Sequence, residues 1–240
     1  MVATPAQGAL RGRIALVTGA SRGIGRAVAI RFGAEGAHVV LVARTQGGLE
    51  EADDDIRKVG GTATLLPLDL TDFDAIDRMG AALFERFKRL DVLVGNAGLL
   101  GRLGPIAHLD PKIWDQTMAV NVTANWRLIR ACDPLLRASD AGRAIFVTSG
   151  AAKPPRAYWS VYAISKAALE MLVGIYAAEV AMTRIKVNLI NPGATRTRMR
   201  AEAYPGEDPA SLRTPESTTD PFVRLAAPSC ASHGEVVNAG

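Results

Sequence analysis

Ile14-Ala-Leu-Val-Thr-Gly19-Ala-Ser21-Arg22-Gly23-Ile24-Gly25 is an apolar run that passes directly into a glycine-spaced turn, and the chain continues as an amphipathic stretch to Ala34. The order is strand, tight turn, helix. Glycines at 19, 23 and 25 let the backbone turn sharply and approach a bound group closely. The opening helix presents unpaired N–H groups and the positive end of its dipole, which together suit a pyrophosphate. Glycine spacing alone is a weak signal; a strand before it and a helix after it supply the needed context. Gly19, Ser21, Arg22, Gly23, Ile24 and Gly25 are therefore expected to cradle a dinucleotide.

The same alternation extends along the chain. Ile14 to Val17, Val39 to Val42, Thr64 to Leu68, Asp91 to Val94, Ala144 to Thr148 and Lys186 to Ile190 read as strands. Their near-continuous aliphatic character is what a parallel sheet covered on both faces requires. Ile24 to Ala34, Gly48 to Val59, Asp72 to Phe87, Pro111 to Arg137 and Tyr158 to Ala181 read as helices, and Glu235 to Asn238 as a short last strand. The expected fold class is α/β, a single Rossmann-like doubly wound parallel sheet with helices on both faces. Residues 1–12 are expected to be an N-terminal tail and 13–240 a single dinucleotide-binding domain. The polar, proline-containing segment 194–221 is expected to be a substrate lid.

Composition narrows the function classes. At 240 residues and 48% hydrophobic the chain can bury a large core, without disulfides or disorder. No uninterrupted apolar run of about 18 residues is visible, and Met1 to Arg13 lacks a basic segment followed by an apolar one. The expectation is a cytoplasmic protein without membrane contact. The two cysteines lie far apart and the three histidines show no ligand spacing, so no metal is expected. The net charge of +4 is scattered, which argues against nucleic acid and suits an anionic cofactor.

The end of the second strand bears on which cofactor. A carboxylate there would bond a ribose 2′-hydroxyl and repel a 2′-phosphate. The strand instead ends Leu41-Val42-Ala43-Arg44, and Arg22 lies in the glycine turn. Two guanidiniums favour the phosphate of NADP(H), with NAD(H) possible. Further on, Tyr162-Ala-Ile-Ser-Lys166 places a phenol and an ammonium at i, i+4 on one helix face. A fixed cation beside a tyrosine lowers its pKa toward a usable range. Alone, such a pair marks a solvated helix face more often than a site.

Together with the glycine turn it is specific. Thr18-Gly-Ala-Ser-Arg-Gly-Ile-Gly25, Asp69-Leu70, Asn96-Ala97-Gly98, Asn121, Ser149, Tyr162 with Lys166, and Asn191-Pro192-Gly193 occur in the order and at the separations of the short-chain dehydrogenase/reductase family, which the chain resembles along nearly its whole length. Asn96-Ala-Gly-Leu-Leu-Gly101 and the stretch from Asn191 to Arg200, with Glu207-Asp-Pro, further resemble its YciK-type bacterial branch. The resemblance implies that Tyr162 exchanges a proton with the substrate oxygen and that Lys166 holds the nicotinamide ribose and depresses the Tyr162 pKa. Ser149 would orient the substrate oxygen, and Asn121 would anchor a water linking Lys166 to solvent. Asp69 would meet the adenine; Leu70, Asn96, Ala97, Gly98, Pro192, Gly193, Thr195 and Thr197 would line the cofactor.

The chain departs from the family pattern in two places. Gly95 stands where the family usually has a second Asn, and the C-terminus reads His233-Gly-Glu-Val-Val-Asn-Ala-Gly240 in place of the usual Val-Asp-Gly-Gly strand end. The resemblance implies hydride transfer between NADP(H) and a small-molecule carbonyl or alcohol, by a homo-oligomer that is a dimer or tetramer. An NAD-dependent alcohol dehydrogenase and a catalytically silent dinucleotide sensor or scaffold are the competing readings. The substrate pocket is expected from Leu99 to Leu103, Lys153 to Trp159 and the segment after Gly193. Arg156, Arg196, Arg198 and Arg200 are expected either to meet an acidic group on the substrate or to hold the lid through salt bridges.

Overall fold

A computed structural model describes residues 8–239. The strands are β1 (Ile14–Thr18), β2 (His38–Ala43), β3 (Thr62–Pro67), β4 (Val92–Gly95), β5 (Arg143–Val147), β6 (Lys186–Asn191) and β7 (Val236–Asn238). They form one parallel sheet of order β3-β2-β1-β4-β5-β6-β7. Strand order reverses between β1 and β4, and a doubly wound sheet opens a crevice at the carboxyl ends of the strands at such a point. The short last strand is present as β7.

Helices α1 (Gly23–Ala34), α2 (Gln46–Lys58) and α8 (Asp220–Ala226) cover one face. On the other lie α3 (Phe73–Phe87), α5 (Ala124–Arg137) and α6 (Ser160–Val180), joined to the sheet by Ile76, Leu128, Leu169 and Val173. The period-2 alternation of strands divides the two cores. Leu16, Val40, Leu93 and Phe146 face α3, α5 and α6, whereas Val17, Leu41, Val94 and Ile145 face α1, α2 and α8. Asp72 caps α3, its carboxylate accepting from the Ala75 N–H at 2.9 Å.

Three differences from the sequence reading have local causes. Residues 1–7 of the expected tail lie outside the described residues, and 8–12 are not loose: Leu10 is fully buried and its N–H donates to the Glu35 carbonyl at 3.0 Å. The expected helix from Pro111 to Arg137 is interrupted. α4 (Pro111–Met118) is followed by a π-helical turn over Ala119–Thr123 before α5 begins. Such a turn displaces carbonyls from their usual partners, and here the Asn125 amide donates to the Asn121 carbonyl at 2.9 Å. Finally, segment 194–221 is built rather than open: α7 (Arg198–Ala203), two short 3₁₀ turns and the start of α8 fall within it.

Among the described residues one helix, α6, is long and apolar enough to cross a membrane by length and composition alone. It carries Lys166, Glu170 and Glu179, and its face with Leu169, Val173 and Tyr176 is buried in the core.

Arg143, at the start of β5, is buried and has no carboxylate partner among the described residues. Its guanidinium donates to the carbonyls of Gly142 (2.8 Å), Arg184 (3.3 Å), Ala227 (3.1 Å), Pro228 (2.5 Å) and Cys230 (3.2 Å). Burial lowers its pKa. The group staples the 227–230 segment that leads to β7. Arg143→Met should cost about 2–4 kcal/mol, because it leaves several carbonyls inside without donors. Urea unfolding measures this; a loss below about 0.5 kcal/mol would remove the staple from the account.

Candidate active site

The ends of β1, β2, β4, β5 and β6 open onto a cleft of about 620 Å³. At its middle, the β1 and β4 ends are tied together. The Thr18 hydroxyl donates to the Val94 carbonyl (3.2 Å) and accepts from the N–H groups of Asn96 (3.0 Å) and Ala97 (3.1 Å). The Asn96 amide donates to the Thr18 carbonyl at 2.8 Å. Gly19 and Gly23 have φ of 67° and 56°, so the turn after β1 needs residues without a Cβ. A Cβ on Gly19 would also approach the Asn96 amide nitrogen to 2.9 Å. Gly19, Ser21, Arg22, Gly23 and Ile24 line the cleft as expected. Gly25 does not. It is buried, and its place is explained by close packing on the Gly19 carbonyl and the Asn96 amide.

At one end of the cleft Arg22 and Arg44 stand with Asp69, while Leu70, Ala97 and Gly98 line its wall. Arg44 and Asp69 are both well exposed and 4.0 Å apart, so their mutual attraction is weak and Arg44 can turn to another anion. Asp69 is itself occupied, accepting from the Thr71 N–H (2.9 Å) and hydroxyl (2.8 Å). The Thr71 N–H is the main cause of its pKa lying below the usual carboxylate value.

At the other end Ser149, Tyr162 and Lys166 converge on the cleft. Ser149 follows β5, and its hydroxyl accepts from the Ala151 N–H at 3.2 Å. Lys166 is buried and its Nζ donates to the Val147 carbonyl at 2.9 Å. An ammonium has three donors, and one is used here, leaving two for hydroxyls such as those of a ribose. Burial pushes the Lys166 pKa down to about 8.

The Tyr162–Lys166 electrostatics correct the sequence expectation. Lys166 Nζ lies 5.9 Å from the Tyr162 ring centroid, and its donor is turned to Val147. Burial dominates at the phenol and raises its pKa, with the Ser149 hydroxyl pulling the other way. Both groups are thus pushed toward their neutral forms, because both are withdrawn from water.

Asn121 is held within the scaffold. It sits in the π turn and does not line the cleft. Its Oδ1 accepts from the Leu99 N–H (2.8 Å), and its amide donates to the Leu99 carbonyl (2.9 Å) and the Ser165 hydroxyl (2.8 Å). Ser165 in turn donates to the Tyr162 carbonyl at 2.8 Å. With both amide hydrogens committed, Asn121 couples the loop after β4 to the helix that carries Tyr162 and Lys166. Ser165 escaped the sequence reading, although its i+3 spacing from Tyr162 places it on the same helix face.

After β6, Pro192, Gly193, Thr195 and Thr197 border the cleft. The Thr195 hydroxyl is buried and turned back to the carbonyls of Pro192 and Gly193, so it holds its own loop. Thr197 caps α7, accepting from the Arg200 N–H at 3.2 Å.

On the substrate side Leu99, Leu100 and Trp159 line the cleft, whereas Pro154, Pro155 and Tyr158 are exposed outside it. Arg200 forms a two-pronged pair with Glu207 (2.5 and 2.6 Å), and Arg198 pairs with Glu202 at 3.1 Å. Arg200 thereby holds the segment, whereas the Arg198 pair is exposed and lies within α7. Gly95, the departure at β4, is explained by volume: a Cβ there would meet Asn125 Oδ1 and the Phe146 ring, each at 2.5 Å.

Comparison with known proteins bears on the family and the fold. A family model described as short chain dehydrogenase matches residues 13–208. The chain is 40% identical over 214 residues to the oxidoreductase YciK of Escherichia coli K12, covering 88% of this chain and 84% of that one. It superimposes with a TM-score of 0.93 on a short chain dehydrogenase of Shigella flexneri 2a complexed with NADP, at 37% identity, covering 98% of this chain and 99% of that one. A short chain dehydrogenase of Escherichia coli CFT073 complexed with NADPH also gives a TM-score of 0.93, at 38% identity and the same coverage.

Proposed function

The chain belongs to the short chain dehydrogenase family of oxidoreductases, and we propose that it moves a hydride between NADP(H) and a carbonyl or alcohol carbon. The observation that carries this reading is one cleft with two chemically distinct ends: arginines and a glycine turn at one, and Ser149, Tyr162 and Lys166 at the other. The glycine turn would hold the pyrophosphate, Arg22 and Arg44 the 2′-phosphate, and Lys166 the ribose hydroxyls. NADP(H) supplies or accepts the hydride.

The protein's own part is proton handling and orientation. Ser149 donates a hydrogen bond to the substrate oxygen and fixes it beside Tyr162. Tyr162, kept protonated by burial, gives its proton to that oxygen during reduction. The developing phenolate is stabilised by Lys166, whose charge then becomes an advantage in place of a cost. The reverse direction needs the phenolate first, so alcohol oxidation gains from rising pH. We also read the outer faces of α5 and α6, with Trp126, Met171 and Ile175 exposed, as the surface of a homo-oligomer.

Thermal unfolding with matched concentrations of NADPH, NADP, NADH and NAD tests the cofactor reading. A ligand at 100 times its Kd stabilises by about 2.7 kcal/mol, a melting shift of several degrees. The wild type should respond to the phosphorylated pair. Arg44→Asp should reverse the preference, losing at least about tenfold in NADPH affinity, as expected when a charge-assisted bond becomes a like-charge contact. Undiminished NADPH preference in that variant would move the 2′-phosphate away from Arg44. No shift with any of the four would overturn the oxidoreductase reading.

A further inference from the structure

Beside the proton-handling groups stands an aromatic file that neither cofactor binding nor proton transfer uses. The Trp159 ring lies 5.9 Å from that of Tyr162, tilted by 48°, and 5.9 Å from that of Tyr204, tilted by 49°. Trp159 lines the cleft, and Tyr204 backs it. Behind Tyr204 the Arg200 guanidinium lies 3.8 Å from the ring centroid, locked in turn by both Glu207 oxygens. Leu100, Ala151 and Tyr162, with Trp159 and Met199 against them, form a third apolar cluster, separate from the two that flank the sheet.

The backbone on either side of Trp159 is strained. Tyr158 and Ser160 have φ of 70° and 33°, a region that residues with a Cβ avoid. The turn is held there from outside: the Gly104 N–H donates to the Tyr158 carbonyl at 2.8 Å, and the Ser160 hydroxyl to the Arg102 carbonyl at 3.1 Å. Strain of this kind persists where surrounding contacts enforce it, and it concentrates at sites that must present a side chain. What it presents here is the indole.

We propose that Trp159 is a specificity-determining residue, forming an aromatic wall for a substrate whose reacting carbonyl is attached directly to a flat, uncharged aromatic ring. The inference rests on the oxidoreductase reading, which puts the substrate oxygen at Tyr162 and Ser149. With the indole 5.9 Å from the Tyr162 ring, a ring bonded to that carbonyl can reach the 4.5–7 Å range of aromatic pairing with Trp159. Two charges beside the wall are paired, Arg200 with Glu207 and Arg198 with Glu202, while Arg196 lines the same cleft. The reaction is the two-electron reduction of an aryl ketone to a benzylic alcohol. The carbonyl π bond breaks, hydride forms the new C–H bond as the nicotinamide is oxidised, and the Tyr162 proton forms the O–H bond.

Acetophenone and cyclohexyl methyl ketone have one carbon skeleton and differ in whether the ring is flat. Because their intrinsic reactivities differ, the readout is the change in the ratio of their kcat/KM values between wild type and variants, with NADPH. Trp159→Leu should lower the acetophenone-to-cyclohexyl ratio about fivefold to tenfold, and Trp159→Phe, which keeps a ring, should restore most of it. An unchanged ratio in Trp159→Leu, with ketones still reduced, overturns the wall and leaves the oxidoreductase reading standing. Binding of acetophenone to the NADP complex, followed by saturation-transfer NMR, separates the other failure. Acetophenone bound by the wild type, lost in Trp159→Leu and never reduced supports an aromatic wall but overturns the aryl ketone as substrate. Neither reduction nor binding of acetophenone overturns the proposal, while the melting shifts with NADPH test the oxidoreductase reading separately.

Discussion

Tyr162→Phe will keep its cofactor and lose its turnover. Phenylalanine fills the same volume against Trp159, so the melting shift with NADPH should stay within about 1 °C of wild type. Carbonyl reduction, by contrast, should fall about 10²–10⁴-fold, the range attributed to a positioned proton donor. That loss corresponds to about 3–5 kcal/mol of transition-state stabilisation, and it should appear in kcat with little change in KM. Stopped-flow monitoring of NADPH consumption checks both at once. Reduction by the variant at more than about a tenth of the wild-type rate would remove Tyr162 as the proton donor.

Lys166→Met should abolish activity while making the ligand-free protein more stable. The pKa falls from 10.5 to about 8 because a buried ammonium has exchanged water for a single carbonyl. Below about pH 8 the lysine is charged both folded and unfolded, and the full desolvation cost of about 3 kcal/mol bears on the native state. Between about pH 8 and 10.5 the folded protein has shed the proton that the unfolded chain still holds, and the cost fades. Methionine avoids the cost and forfeits one hydrogen bond to Val147, leaving a gain of about 2 kcal/mol at pH 7. For a chain of this length that is about 4–8 °C in Tm, shrinking toward pH 10.5. A variant that melts lower than wild type at pH 7 would show that the ammonium is better solvated than its surroundings suggest. Such a gain would mark the lysine as a group kept for function against stability.

The sheet was legible because its strands are aliphatic on both faces, and Leu16 and Val17 are equally apolar although they enter different cores. The glycine turn was legible because few other contexts require φ above zero at that spacing. Three things were not. The π turn at Ala119–Thr123 places polar Asn121, with Asn125 after it, on the buried face, and polar residues there do not by themselves announce an inserted residue. The direction of the Tyr162 pKa depends on how much water surrounds the phenol, which is a property of the packed molecule. Residue type identified Asn121 and Thr195 as polar groups near the site, but not that each turns its side chain back into the scaffold.

Gly95 limits how the sheet end can be redesigned. The Asn usual in the family at that position would require room that Phe146 and Asn125 already occupy. The positions are therefore epistatic: a side chain at 95 is closed to a single exchange until the aromatic ring at 146 shrinks.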